Sequence, residues 1–178
     1  MFNEFTKVFI IAEAGVNHNG DINLAMQLID AAKYAGADCV KFQTWITEDI
    51  IDISAPKAEY QKANDGVETS QYEMLKKLEL SFDDFAKLKR YSEQVGILFL
   101  STPDEKNSLD FLADQLQLPI IKVGSGEVNN FLLLQQIAHK KIPVILSTGM
   151  SDMNDVEKAY HLLLENGCLL YTSPSPRD

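Results

Sequence analysis

The sequence predicts an α/β fold in which short strands alternate with helices around a parallel sheet. Apolar, β-branched runs of strand length alternate with longer segments whose apolar residues keep helical spacing. Polar residues end several of these strands, as Glu13 ends the first and Thr102 the third. In folds of this class the carboxyl ends of the strands form the ligand site, so the polar strand ends predict where function lies.

Five strand–helix units follow one another along the chain. The predicted strands span residues 8–12, 38–44, 97–101, 120–123 and 144–147. The predicted helices span residues 22–35, 71–78, 81–95, 104–115, 130–139 and 151–165. Asp21 and Ser151 are the expected N-cap residues of the first and last helix. We expect the first strand to be buried on both faces, as parallel strands usually are, and the crossovers to be right-handed.

Two connections have the composition of loops. The turn at 15–20 is rich in turn-forming residues, and we expect its lone histidine, His18, to be solvated. Most of the stretch from Trp45 to Leu80 shows no clear core pattern, which is typical of functional loops or disordered segments. We expect its aromatic residues to cover the core rather than to stack on a substrate: Trp45, Tyr60 and Tyr72.

Composition and charge exclude several classes of protein. The chain has 178 residues, 46% of them hydrophobic and 24% charged, which suits a globular domain with one core. Its net charge of −10, without a basic run, argues against nucleic acid or an anionic membrane as a partner. No run approaches the ~20 apolar residues of a membrane span, and the N-terminus lacks the order of a signal peptide, so we expect a cytoplasmic protein. Cys39 and Cys168 lack disulfide spacing, and Cys39 is expected in the core.

The last residues, 168–178, read CLLYTSPSPRD. They could form a sixth strand with a Pro-Ser loop, but the string resembles the translation of a sequencing adapter. We therefore assign 1–167 to a partial barrel domain and exclude 168–178 as a non-native tail. Because a closed (β/α)8 TIM barrel needs eight units and ~250 residues, we expect a barrel truncated to about its first five βα units.

Two lysines inside apolar strands, Lys41 and Lys122, are the sharpest functional signals, because lysine is rarely buried without a partner. Such a lysine is a clamp for phosphate or carboxylate, a Schiff-base nucleophile or half of a structural ion pair. The turn at 124–126 follows the strand of Lys122 and places backbone N–H groups beside its cation, which suits an anion. Two lysines near several hydroxyl groups favour the clamp.

Carboxylates and hydroxyls complete the set of candidate residues. Glu13 and Glu127 could orient a substrate hydroxyl, act as acid or base, or neutralise the lysines. Five hydroxyl residues end the strands, namely Ser101, Thr102, Ser125, Ser147 and Thr148. Each alone is typical of a cap or turn, but together they indicate a site. No pair of histidines has metal-ligand spacing, so these residues predict no metal site.

Six stretches of the chain resemble the N-acetylneuraminate (sialic acid) synthases and their relatives that make legionaminic and pseudaminic acids. They are IIAEAGVNHNGD at 10–21, GADCVKFQT at 36–44, SQYEMLKKLEL at 70–80, GILFLSTP at 96–103, KVGSGEVNN at 122–130 and PVILSTGM at 143–150. The stretches occur in the family's order across most of 10–167, and they cover only the N-terminal part of the family's barrel.

The resemblance implies an enzyme that condenses phosphoenolpyruvate with the open-chain aldehyde of an N-acylhexosamine, giving a sialic-type nonulosonic acid and phosphate. It also implies a divalent metal, Mn²⁺ or Mg²⁺, and a homodimer at full length. The residues that it assigns to substrate binding are Lys41, Gln43, Thr102, Lys122, Ser125 and Ser147. By the same resemblance, Glu13 would bind the hydroxyl groups of the sugar, and Glu127 would handle the attacking water.

Three departures from the family pattern matter. The family's two histidine metal ligands and its C-terminal antifreeze-like domain are absent, so we expect this fragment alone to be inactive and poorly stable. Asp104 follows Pro103 where many relatives carry an aromatic residue. Two alternatives stay open at this point: an aldolase that uses Lys122 as a Schiff base, and a non-catalytic sugar-phosphate binding protein.

Overall fold

The computed structural model describes residues 8–53 and 70–168, and the backbone of 170–171. The strands are β1 (Ile11–Gly15), β2 (Cys39–Thr44), β3 (Leu98–Pro103), β4 (Ile121–Val123), β5 (Val144–Leu146) and β6 (Leu170–Tyr171). The α-helices are α1 (Ile22–Tyr34), α2 (Thr47–Ile50), α3 (Gln71–Leu78), α4 (Phe82–Val95), α5 (Lys106–Asp110), α6 (Phe131–His139) and α7 (Met153–Glu165). A π-helical segment, Phe111–Gln115, continues α5, and a 3-10 turn, Ser125–Glu127, follows β4.

All the strand pairs among the described residues are parallel, which confirms the predicted α/β class. The strands form two sheets of three, ordered β1-β2-β3 and β4-β5-β6. β3 and β4 lie side by side without a ladder of hydrogen bonds between them. The carboxyl ends of both sheets therefore face one shared opening.

The first strand differs from the prediction. Its ladder starts at Ile11 rather than Val8, because the Asp38 carboxylate accepts the Ile10 N–H at 2.9 Å and pairing begins at Ile11 opposite Cys39. Within β1, Ile11 and Ala12 are only partly buried and Glu13 is exposed, so this strand is not buried on both faces. β1 pairs with β2 on one edge only within the described residues, and that leaves its start open to solvent.

The helices begin where side chains satisfy their first N–H groups. Asp21 caps α1 as predicted, whereas α7 is capped by Asp152 and not by Ser151. α5 starts at Lys106, two residues after the predicted start, because Glu105 accepts the first free N–H groups. No helix in the described part of the chain combines the length and apolar composition needed to cross a lipid bilayer.

The end of the chain also differs from the prediction. Leu170 pairs with Val144 and Tyr171 with Ile145, so the backbone of 170–171 forms a sixth strand although we placed it outside the fold. Cys168 is 4% exposed and belongs to the core cluster. Residues 172–178 lie outside the described part, so the non-native origin of the tail stays a prediction.

One face of the strands is arranged in layers. Its lowest layer is a small apolar cluster built on Cys39, Leu100 and Ile120. Alternation along β2 and β4 places Lys41 and Lys122 two residues further on the same face. The opposite face packs on the helices in the large core, as Val40 and Phe42 do, both 0% exposed. The lysines therefore stand on an apolar floor, and Cys39 is a core residue as predicted.

We predict that Gly20 fixes the loop after β1 against the end of α3. An added Cβ at Gly20 would lie 2.2 Å from the Lys77 carbonyl oxygen, and φ is +76°. Gly20→Ala is expected to lower the free energy of unfolding by ~3 kcal/mol or more, measured by urea denaturation.

Gly36 offers a matched control. Its φ is +80°, but nothing lies within 4 Å of the added Cβ. Gly36→Ala is expected to lower the free energy of unfolding by only ~1 kcal/mol, the cost of a left-handed backbone. Equal losses in the two variants would contradict a tight contact at Gly20.

Candidate functional site

A cavity of about 850 Å³ opens at the carboxyl ends of the strands, between the two sheets. β2, β3 and β4 each supply a wall, and the 3-10 turn and the first turn of α6 close one side. The side chains that give it its charge and polarity are Lys41, Gln43, Asp49, Thr102, Asp104, Glu105, Lys106, Asn107, Lys122, Glu127, Asn130 and Gln136. The cavity thus combines cations, carboxylates and neutral polar groups, as expected for a polar anionic ligand and a partner molecule.

Lys41 is held from two sides. Glu13 and Lys41 are partners in the β1–β2 register, so their side chains stand side by side, and Lys41 Nζ lies 2.6 Å from Glu13 Oε2. Lys41 Nζ also donates to Thr102 Oγ1 at 3.4 Å. Lys41 is 8% exposed, and a β-bulge between Glu13 and Gly15 interrupts the ladder beside it. The ammonium group is therefore fixed in position at the end of β2.

Lys122 is held differently. Its Nζ donates to the Val123 carbonyl oxygen at 2.6 Å and to Ser147 Oγ at the end of β5. The Ser147 N–H in turn donates to the Val123 carbonyl oxygen at 3.1 Å, which ties the two strand ends together. No carboxylate in the described residues forms an ion pair with Lys122, so its charge is satisfied only by neutral oxygens.

The two ammonium groups are close enough to affect each other. Burial, and secondarily the positive charge of Lys41, lowers the pKa of Lys122 from 10.5 to about 8. Glu13 opposes the shift from the far side of Lys41. An anion bound between the two lysines would remove this repulsion, so the cavity favours a negatively charged ligand.

The 3-10 turn brings the second carboxylate and one hydroxyl. Glu127 lines the cavity and accepts a hydrogen bond from Asn130 Nδ2 at 2.7 Å. An added Cβ at Gly149 would lie 3.5 Å from Ser125 Oγ, so Ser125 packs against the turn after β5. The methyl carbon of Thr102 lies near Gly124, where an added Cβ would meet it at 3.9 Å. The turn after β4 therefore lies beside the end of β3 and the turn after β5.

The residues predicted from the sequence lie at different distances from the cavity. Five line the cavity, namely Lys41, Gln43, Thr102, Lys122 and Glu127. Glu13 and Ser147 stand behind the lysines and hold them, and Ser125 lies beside the turn after β5. Ser101 is not part of the site, because it is 0% exposed and its hydroxyl pairs with Thr44 Oγ1 at 2.7 Å.

Asp104 is one of the cavity residues to which sequence reasoning assigned no role. It lines the cavity at the end of β3, and its backbone N–H donates to the Thr44 carbonyl oxygen at 3.1 Å. Burial, then the negative charge of Glu127, raises the pKa of Asp104 from 3.8 to about 7. Its position directly after a predicted strand end was the available signal.

His18 contradicts the expectation that it is solvated. It is 0% exposed, its Nδ1 accepts the Gly20 N–H at 3.1 Å, and its ring centroid lies 6.0 Å from that of Phe42. Burial lowers its pKa below the ordinary value of 6.5. The loop folds back over the sheet, which composition alone did not predict.

The long connection after β2 starts and ends in a polar network. Glu79 accepts from the Thr47 N–H at 2.8 Å and pairs with Lys76 at 2.8 Å, and Lys76 reaches Glu48 at 3.0 Å. Tyr72 donates to Glu48 at 2.9 Å. Trp45 is buried and so covers the core as expected, while residues 54–69, with Tyr60, lie outside the described part.

The described residues offer no metal cage. Across 8–53 and 70–168, no three His, Cys, Asp or Glu side chains are grouped so that they could hold an ion. The carboxylates of the cavity have other roles: Glu13 pairs with Lys41, and Glu127 accepts from Asn130. These residues therefore do not provide the full ligand set of a divalent metal.

Comparison with known proteins finds one family model and several relatives that match most of the chain. The model of the NeuB family matches residues 28–172. N,N'-diacetyllegionaminic acid synthase of Legionella pneumophila is 50% identical over 151 residues, covering 85% of this chain and 42% of the relative. Human N-acetylneuraminate-9-phosphate synthase is 38% identical over 165 residues, covering 91% of this chain and 45% of the relative.

The fold agrees with a solved structure. The crystal structure of N-acetylneuraminic acid (sialic acid) synthetase from Leptospira borgpetersenii, in complex with citrate, superposes with a TM-score of 0.78 at 30% identity. The match covers 94% of this chain and 53% of that one. This chain spans less than half the length of the Legionella and human relatives.

We predict that the Lys122 charge destabilises the fold. Below pH ~8 the lysine is protonated in both states, and the folded state carries the penalty of a half-buried cation. Lys122→Met is therefore expected to raise the free energy of unfolding at pH 7 by on the order of 1 kcal/mol in urea denaturation. Between pH ~8 and ~10.5 the folded protein loses the proton first, so the native chain gains stability and the difference shrinks.

Lys87 serves as the control, because it is exposed and pairs only with Asp84 on the surface of α4. Lys87→Met is expected to change the free energy of unfolding by less than ~0.5 kcal/mol at pH 7 and pH 10. A gain for Lys122→Met that is equal at both pH values would refute the assignment of the penalty to its charge.

Proposed function

This chain belongs to the NeuB family, and we propose that the whole protein condenses phosphoenolpyruvate with the open-chain aldehyde of an N-acylhexosamine, giving a nonulosonic acid and phosphate. The observation that carries the proposal is the approach of Lys41 and Lys122, from two different sheets, to one polar cavity. We further propose that the chain is the N-terminal part of a (β/α)8 barrel, which its likeness to the Leptospira synthetase supports.

Phosphoenolpyruvate fits the charges of the cavity. It carries a phosphate and a carboxylate close together, and two ammonium groups with neighbouring hydroxyls match both anionic ends. In the proposal Lys41 and Lys122 bind the anion together with Gln43 and Thr102, which line the cavity. Ser125 and Ser147 would add contacts from the turns after β4 and β5. Because the chain as a whole carries a charge of −10, these local cations are what favours the anion.

The reaction needs one carbon–carbon bond to form and one carbon–oxygen bond to break. The enol carbon of phosphoenolpyruvate attacks the aldehyde carbon, and the aldehyde oxygen takes up a proton from solvent and becomes a hydroxyl. Water adds to the electron-poor carbon that remains, and phosphate leaves with the bridging oxygen. Glu127, which lines the cavity, takes the proton from the water, and Glu13 binds the sugar hydroxyls next to Lys41.

A divalent metal, Mn²⁺ or Mg²⁺, would supply a Lewis acid for the aldehyde oxygen. The described residues do not provide the full ligand set of such a metal. We propose that the ligands come from parts of the whole protein outside the described residues. The chain alone is then inactive, and the whole protein is a cytoplasmic homodimer.

A second candidate function is an aldolase that forms a Schiff base on Lys122. The lowered pKa of Lys122, about 8, favours it, because a neutral amine is the form that attacks a carbonyl. Against it, Lys122 Nζ already donates hydrogen bonds to Ser147 Oγ and the Val123 carbonyl oxygen. An aldolase would also leave the second buried lysine, Lys41, without a role in the reaction. The clamp uses both lysines, whereas the aldolase uses one.

We predict that the whole protein releases phosphate only when phosphoenolpyruvate, an N-acylhexosamine and a divalent metal are all present. In H₂¹⁸O the phosphate should contain no ¹⁸O, because the carbon–oxygen bond breaks, and the label should enter the sugar acid. Mass spectrometry of both products measures this. Phosphate labelled with ¹⁸O, or a covalent adduct on Lys122 after borohydride treatment with a carbonyl substrate, would contradict the synthase.

Lys122→Ala in the whole protein is expected to weaken phosphoenolpyruvate binding about thirtyfold, or ~2 kcal/mol, because a charge-assisted contact is lost. Isothermal titration calorimetry measures the dissociation constant. Lys87→Ala, which removes an exposed lysine of α4, should leave it unchanged. Binding without any phosphate release in the native protein would indicate a sugar-phosphate binding protein instead.

A further inference from the structure

We propose that Asp104 contacts the aldehyde substrate, not phosphoenolpyruvate, and acts as a specificity-determining hydrogen-bonding residue; this inference rests on the proposed function. Asp104 lines the cavity directly after β3. Its backbone N–H donates to the Thr44 carbonyl oxygen at 3.1 Å, which extends the pairing of β3 and β2 beyond the last strand residue. The side chain therefore stands on a fixed backbone and not on a mobile loop.

The structural roles open to Asp104 are already filled by neighbours. Glu105 caps α5, accepting from the Ser108 N–H at 2.9 Å and from the Asn107 N–H. Lys41 is paired with Glu13. Within the described part of the chain, the Asp104 carboxyl has neither a hydrogen bond nor an ion pair. A half-buried carboxyl without a partner, on a cavity wall, is open to a ligand.

The surrounding charges decide which ligand it takes. Glu127 faces Asp104 from the 3-10 turn, Glu105 adjoins it on its own segment, and Lys41 faces it from β2. Burial, then the negative charge of Glu127, raises the pKa of Asp104 to about 7 against the opposing charge of Lys41. The carboxyl groups of Asp104, Glu105 and Glu127 together disfavour a phosphate or carboxylate at this end of β3. A neutral, hydroxyl-rich sugar with an amide oxygen suits this position.

Near neutral pH the protonated carboxyl can donate a hydrogen bond to a hydroxyl or amide oxygen of the sugar. As the pH rises through about 7 the proton is lost, and with it the donated hydrogen bond. The KM for the aldehyde should then rise from pH 6 to pH 8. An asparagine keeps a donor at every pH, so Asp104→Asn separates the donor from the charge.

The experiment uses the whole protein with saturating phosphoenolpyruvate and varies the N-acylhexosamine at pH 6, 7 and 8. Asp104→Ala is expected to raise the KM for the aldehyde about fivefold or more at pH 6, the range for losing one hydrogen bond, and to leave the KM for phosphoenolpyruvate unchanged. Asp104→Asn should keep the low KM and lose its pH dependence. Asp83→Asn, at an exposed position in the first turn of α4, is the matched control and should keep the native profile.

Three outcomes overturn the inference. An unchanged KM for the aldehyde in Asp104→Ala excludes a contact, and a raised KM for phosphoenolpyruvate places the residue on the wrong substrate. A native pH profile in Asp104→Asn excludes the protonation step. Thermal unfolding of each variant shows whether the fold is kept. If the native protein releases no phosphate, both the proposed function and this inference are wrong. If the native protein is active but the Asp104 variants behave like it, only this inference is wrong.

Discussion

Two like charges held close together, where water is partly excluded, are the constraint on which the rest of this site depends. Lys41 is 8% exposed, and the charge of Lys41 helps to lower the pKa of Lys122 to about 8. Such an arrangement is unfavourable without a ligand, because burial and repulsion both oppose the second charge. A bound anion would remove this energetic cost, and strongly shifted pKa values of this kind are concentrated at active sites.

The scaffold limits the penalty in two ways. Glu13 neutralises Lys41 from the neighbouring strand, while Lys122 is given only neutral acceptors. One lysine is therefore paired with a carboxylate before a ligand binds, and the other has only neutral acceptors. Both lie on the strand face that carries the apolar cluster of Cys39, Leu100 and Ile120, nearer to the carboxyl ends of the strands. The acidic residues Asp104 and Glu127 line the same cavity as the lysines, so it offers carboxyl groups as well as cations to its ligands.

Much of this could be read from the sequence, because strands and helices leave periodic patterns and strand ends are easily located. The alternation along β2 was sufficient to place Lys41 apart from Val40 and Phe42, and parallel pairing then brings the strand ends together. What failed was local: composition suggested a solvated His18, but the loop folds over the sheet and buries it. The start of β1 and the N-cap of α7 were also misplaced. Each depends on which nearby polar side chain bonds to the backbone, Asp38 at β1 and Asp152 at α7, and sequence spacing alone does not decide this. Asp104 was noted only as a departure, since its importance comes from Glu127, a residue distant in sequence.

The most direct test of the account is a crystal structure of the whole protein with phosphoenolpyruvate bound. The account predicts that the Nζ atoms of Lys41 and Lys122 both lie within about 3 Å of oxygens of the same phosphoenolpyruvate molecule. Phosphoenolpyruvate bound outside this cavity, or contacted by one of these lysines while the other points away from it, would contradict the account.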